Sequence, residues 1–149
     1  MEESIPSLSA RLRTGLSGGW QTTLKLLKFV VPLYIAVDLL KQTPAIDVLG
    51  ALFAPLMGWF GLPGEAAFAF IAAFLLNLYA AIAVMAPLDL SPWQVTQCGL
   101  MMGIAHNLLV EGGVLGSTGT RGGVLTLCRL LLAAATGLLL EGVHRLWTG

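Results

Sequence analysis

Hydrophobic positions along the chain fall into five blocks separated by short polar or Gly/Pro-rich breaks. In the first block Trp20, Leu24, Leu27 and Val31 share one helical stripe while Gln21, Lys25 and Lys28 share another, the period of a helix lying at a membrane interface. Its continuation, Phe29 to Val37, is apolar but bounded by Lys28 and Asp38, so a full crossing there requires the flanking lysines to snorkel. Asp38 and Lys41 are placed to pair where the helix returns to water.

The second block, Ile46 to Phe60, contains Pro55 and Gly58 and runs into Gly61-Leu62-Pro63-Gly64. It falls short of the roughly 20 residues a straight crossing needs, so it reads as a tilted span or half of a re-entrant hairpin. Ala66 to Ala86 is interrupted only by Asn77 and Tyr79 and closed by Pro87-Leu88-Asp89; it reads as one complete transmembrane helix. Ser91-Pro92 is an N-cap with Pro at the first helical position, opening a fourth helix through Met101, Met102 and His106 toward Val110. From Glu111 to Gly123 the chain is too glycine-rich to stay helical without about 1 kcal/mol lost per Gly. That segment is expected to be either an exposed loop or an unwound stretch inside the protein. The last helix, Val124 to Trp147, carries Arg129 near one end and Glu141, His144 and Arg145 near the other, with Glu141 and Arg145 at pairing distance.

Composition decides the solvent. Of 149 residues, 56% are hydrophobic and 11% charged, against roughly 25% charged in soluble domains. Eight basic and eight acidic side chains cannot cover a water-facing exterior, so the bilayer must cover the rest. No cluster of Lys and Arg provides a nucleic-acid footprint. The opening MEESIPSLSARLRTG lacks an apolar run before Arg11 and Arg13, unlike a cleavable leader, so the first hydrophobic block is expected to be retained. Residues 1–19 form a polar to amphipathic segment and 20–149 a single membrane domain. With five crossings, Arg11, Arg13, Lys25, Lys28 and Arg121 lie on the N-terminal side and Lys41 and Arg145 opposite, which places the N-terminus in the cytoplasm. Cys98 and Cys128 sit in apolar stretches with no ligand-spaced Cys or His, and Met101 and Met102 are apolar filler; no metal and no cofactor is expected. Neither a nucleophile, base and orienter nor a phosphate-cradling glycine motif is present, so the chain is not expected to be an enzyme.

The polar residues inside apolar blocks are the candidate solute or ion ligands. Glu65 follows Pro63-Gly64 at a helix mouth, where a carboxylate either caps the positive helix end or contacts a cation. Asn77 lies deep in the third block and serves as interhelical glue or as a substrate contact; Tyr79 reads as packing. Asn107 and Glu111 share a helix face. An ionised carboxylate at membrane depth costs at least about 2.5 kcal/mol, so Glu111 needs a partner, a proton or water unless it ends a helix at the surface. His106 is a satisfied core side chain or a titrating one. Ser117, Thr118 and Thr120 offer hydroxyls among glycines, in a loop or beside a cavity.

Gly61-Leu62-Pro63-Gly64-Glu65-Ala66, Leu76 to Ala83 and Ile104 to Glu111 together resemble the nucleoside-recognition, or Gate, family of bacterial inner-membrane proteins. That family includes spore-maturation-type proteins and has related segments in concentrative nucleoside transporters and ferrous-iron transporters. Over roughly Leu26 to Leu140 the resemblance implies an all-α membrane fold whose broken helices meet near mid-bilayer, one half of a full transporter. It departs from the family at Asn107, where a small polar residue is expected after the His. The implied function is a multi-pass transporter or channel-like subunit of the bacterial cytoplasmic membrane. It would move a small polar solute or ion and be completed by a second copy or a paralogous Gate partner. The rival is a non-transporting scaffold. Convergence of Glu65, Asn77, Asn107 and Glu111 on one cavity favours transport, with Glu111 and Asn107 expected to face Glu65.

Overall fold

The computed structural model describes residues 7–148; residues 1–6, with the beginning of the 1–19 segment and of the leader reading, lie outside the described residues. The chain is an all-α membrane protein. Ser7 caps α1 (Leu8–Lys41), its hydroxyl accepting from the Ala10 N–H. Leu26, Val30, Leu33 and Val37 are its better covered apolar positions, at the 4-3-4 spacing of a packing seam. Lys41 ends the helix, but its ammonium reaches forward to Asp89, at 2.5 Å, and to the Pro87 carbonyl, at 3.0 Å. The expected Asp38 pairing is replaced because the chain returns a carboxylate and a bare carbonyl to this corner.

Thr43 caps α2 (Pro44–Met57), with Pro44 at the position where a missing N–H costs nothing. A 3-10 turn, Gly58–Phe60, closes on Gly61 at φ 66°, a left-handed conformation that glycine adopts without strain. Helix α2 then crosses the mouth of α3 (Ala66–Leu75): a methyl on Gly64 would fall inside the Gly50 carbonyl, so the two backbones touch.

The stretch read as one span, Ala66 to Ala86, is two helices. Helix α3 stops at Leu75, and α4 (Leu78–Met85) restarts after Leu76 and an extended Asn77 whose Oδ1 accepts from the Ala80 N–H at 2.9 Å. An N-capping side chain in mid-segment lets the helix restart in a new direction. The two helices pack along each other more extensively than any other pair, which a kinked continuous helix cannot do. Their alanines, Ala66, Ala67, Ala69, Ala73, Ala80, Ala81 and Ala83, are almost fully buried, and such small side chains permit close backbone approach. The pair is a hairpin: beyond α4 the chain returns through Pro87 to Ser91, and Gln94 donates to the Gly61 carbonyl, beside the start of α3, at 2.9 Å.

Ser91 and Gln94 form a reciprocal capping box at the start of α5 (Pro92–Ile104). That helix ends earlier than its apolar pattern suggests, at Ile104, and α6 (Leu108–Ser117) continues beyond the break. Residues Glu111 to Ser117 are therefore helical despite Gly112, Gly113 and Gly116, and the non-helical point lies before Glu111 rather than after it. Packing accounts for one of them: a methyl on Gly122 would fall inside the Gly112 carbonyl and one on Gly112 would meet the Thr126 hydroxyl, so Gly112 and Gly122 let α6 lie close against α7 (Gly122–Thr148). Helix α7 runs antiparallel to α5 and α6, with His144 stacked on Trp93 at 4.6 Å, Gly137 bonded to Gln97 and Arg129 bonded to Ile104. Glu141 and Arg145 pair at 2.7 Å as their spacing predicts. Pro92–Ser117, taken across its break, and Gly122–Thr148 are long and apolar enough to cross a membrane.

Candidate functional site at two helix breaks

The two interruptions meet. The Asn107 N–H donates to the Ala73 carbonyl at 2.8 Å, tying the start of α6 to the last turn of α3. Asn107 is the only non-glycine residue with positive φ among the described residues, at 55°. Asn tolerates that conformation better than most side chains, and it turns α5 into α6.

Charges match the dipoles at this junction. The carbonyl end of α5 faces Arg129, whose Nε donates to the Ile104 carbonyl at 2.8 Å and whose Nη2 donates to the His106 carbonyl at 3.2 Å. The N-H end of α6 carries Glu111 in its first turn, the favoured place for a carboxylate. Arg129 Nη1 and Glu111 Oε2 close an ion pair between the two helix ends. His106 completes the cluster: Nδ1 lies 3.2 Å and 3.0 Å from the Met102 and Gly103 carbonyls, so the tautomer carrying the proton there donates to them. Its Nε2 is then turned to Glu111 Oε1 across 3.9 Å. In apolar surroundings an unpaired carboxylate is costly; Arg129 is the partner that Glu111 requires.

The predicted ligands thus divide. His106, Asn107 and Glu111 come together at the second break, and Asn77 forms the first break, which the Ala73 bond joins to it. Glu65 does not join them. It lies at the opposite end of α3, beside Gly50 and Gly64, about 12 Å along the helix axis from Ala73 at 1.5 Å per residue, and makes no capping bond. Ser117 and Thr118 are exposed, and their hydroxyls donate to the Val114 and Leu115 carbonyls at 2.7 and 2.8 Å. They end α6 at the turn into α7, as Thr120 does. A groove of about 310 Å³ beside α3, α5 and α7 is lined only by apolar residues, among them Phe60, Phe70, Phe74, Met101 and Leu130.

Arg129 belongs to this cluster, and local sequence reasoning does not single it out. Its signal is arithmetic: one cation in an apolar helix and one carboxylate in an apolar block each need a partner in a membrane. Gln97 escapes the same reasoning. It is 1% exposed, and its Nε2 donates to the Phe60 and Gly137 carbonyls at 2.8 and 3.0 Å, binding the 3-10 turn to α5 and α7.

The family model for nucleoside recognition, Gate, matches residues 23–140. The chain belongs to the Gate family. The Gate match takes in both breaks and the whole His106–Glu111–Arg129 cluster, and it leaves out the first turns of α1 and the last turns of α7. The chain is also similar to the uncharacterized membrane protein YvoD of Bacillus subtilis (strain 168), with 41% identity over 135 residues, 91% of this chain and 42% of that protein. It therefore spans about two-fifths of the length of this relative. No solved structure matches the chain. The Gate match and the membrane-protein description of this relative agree with the apolar, all-helical fold.

Proposed function

We propose that this Gate protein is a transport subunit of the bacterial cytoplasmic membrane that passes a small polar solute or ion through the junction of its two helix breaks. The observation that carries this reading is the main-chain bond from Asn107 to Ala73. It holds two interrupted helices together beside His106, Glu111 and Arg129, and interrupted helices at membrane depth are tolerated where they line a cavity or are buried in protein. In this reading α1, α5 with α6, and α7 cross the bilayer while α3 and α4 enter and return. Arg11, Arg13, Lys25, Lys28 and Arg121 then share one face, which the positive-inside rule makes cytoplasmic.

The junction is half a site. Leu75, Leu76 and Tyr79 around the hairpin tip are about half exposed, a surface suited to a second Gate unit, either another copy or a paralogue. YvoD is long enough to hold two such units in one chain.

Uptake into proteoliposomes tests the reading, using a panel of nucleosides and of monovalent and divalent cations under imposed ion gradients. Uptake of at least one solute, lost in a folded Glu111→Gln variant, is the expected result. A second reading, a non-transporting scaffold, is favoured by Glu65 lying away from the junction and by Glu111 already being paired. Uptake that is absent across the panel, or unaffected in folded Glu111→Gln and Arg129→Gln variants, would transfer preference to it.

A further inference from the structure

We infer that the N-terminal part of α1, Leu8 to Lys25, is a hinged amphipathic arm that docks on the anionic lipid surface of the leaflet it emerges from. The segment is surplus to the membrane domain. Helix α1 has 34 residues, about 51 Å at 1.5 Å per residue, against a hydrocarbon core of about 30 Å. Among the described helices it packs only against α2 and α4, and every residue from Ser7 to Lys25 is exposed. The Gate match begins only at residue 23.

The arm is nonetheless patterned. Leu8, Leu12, Leu16 and Trp20 are 58–75% exposed and recur every fourth residue, so they form a continuous apolar face that Leu24 and Leu27 extend. Drifting about 40° at each step of four, Leu8 to Leu24 sweep roughly 160° of the helix circumference, broader than the narrow seam of a two-helix coil. A lipid surface suits that width better than a second helix does. Arg11, Gln21, Lys25 and Lys28 lie on the opposite side, Ser17 lies just beyond the edge of the sweep and Arg13 just inside it, and no acidic residue occurs between Ser7 and Val37. Basic residues opposite an apolar face with an aromatic anchor are the pattern of interfacial helices on anionic membranes. Gly15, Gly18 and Gly19 precede Trp20, and a methyl added to any of them would meet nothing within 4 Å. Packing therefore does not explain them, and each weakens the helix, which supplies a bend from the crossing direction into the membrane plane.

The test places an environment-sensitive fluorophore at Leu12→Cys in a Cys128→Ala background, with Cys98 protected by its burial. The full-length protein is reconstituted in nanodiscs of zwitterionic lipid alone or mixed with phosphatidylglycerol. Blue-shifted emission, quenched by lipid-borne quenchers in the anionic discs and reversed by high salt, is expected. Arg11→Gln with Arg13→Gln should lower the docked-to-free ratio about 30-fold, from the typical contribution of a basic residue near an anionic surface. Water-like emission in both lipids would overturn the inference. Lipid-independent burial with cross-linking between copies through position 12 would also overturn it, assigning the face to a second copy. Neither outcome bears on uptake through the helix junction.

Discussion

The Asn107 N–H donates to the Ala73 carbonyl across 2.8 Å, and it does so from a left-handed backbone at φ 55°. The conformation and the bond are separable from the side chain. Asn107→Gly keeps the backbone accessible and should leave thermal stability within about 1 kcal/mol, whereas Asn107→Val forces a β-branched residue into the left-handed region at about 1–2 kcal/mol or more. Melting of both variants in the same detergent decides this. Equal melting temperatures would mean that the left-handed turn does not hold the junction.

Arg129 does three things at once, so removing it should cost more than removing its partner. In Arg129→Gln the Ile104 and His106 carbonyls lose their donor and Glu111 is left unpaired; in Glu111→Gln two of the three Arg129 contacts remain. A double-mutant cycle should return a coupling of about 1–3 kcal/mol, typical of residues in one network, with Arg129→Gln the more damaging single change. Strict additivity would show that the pair contributes nothing to stability.

Much of the fold is legible in the sequence because apolar blocks in a chain with 11% charged residues announce a membrane protein, and Ser91-Pro92 and Glu141 with Arg145 carry local signals that need no tertiary context. The breaks are not, for opposite reasons. Asn77 looks like a tolerated polar residue in a span because its capping role depends on the chain reversing there. Glycines 112, 113 and 116 look like helix breakers, yet all three are helical; only Gly112 lies where α7 needs a bare backbone to pack on, and Gly113 and Gly116 face open space. Of the site, the His106 to Glu111 patch is readable from local sequence and resemblance, while Arg129 lies 18 residues from Glu111 and only the fold joins them. Glu65 falls outside the junction because the broken segments meet at the far end of α3 rather than at its mouth, and no local signal distinguishes the two ends.

Glycine substitutions separate these two uses of the residue. Gly64→Ala inserts a methyl into the Gly50 carbonyl and should destabilise by about 1–3 kcal/mol or abolish folding, as overpacking does. Gly113→Ala has nothing within 4 Å to meet and should stabilise α6 by about 0.5–1 kcal/mol through helix propensity alone. If Gly113→Ala melts markedly lower, the segment after Glu111 is not helical in the membrane and the unwound reading returns.

The α3–α4 hairpin makes the sharpest topological prediction. A continuous helix from Ala66 to Ala86 would put its flanks on opposite sides of the bilayer, whereas a hairpin turning at Leu76 and Asn77 returns them to one side. Three contacts require the second arrangement: Lys41 binds the Pro87 carbonyl and Asp89, Gln94 binds the Gly61 carbonyl, and Gln97 binds the Phe60 carbonyl, so both flanks of the hairpin meet the start of α5. Single cysteines replacing Trp59, Asp89 and Thr118, all exposed, can be introduced in the Cys128→Ala background. The Asp89 change gives up only a surface ion pair, worth about 0–1 kcal/mol. In sealed vesicles of uniform orientation, a membrane-impermeant maleimide should reach positions 59 and 89 from the same side and position 118 from the other. Labelling of 59 and 89 from opposite sides would restore the single span, and with it would go the junction of two breaks on which the transport reading rests.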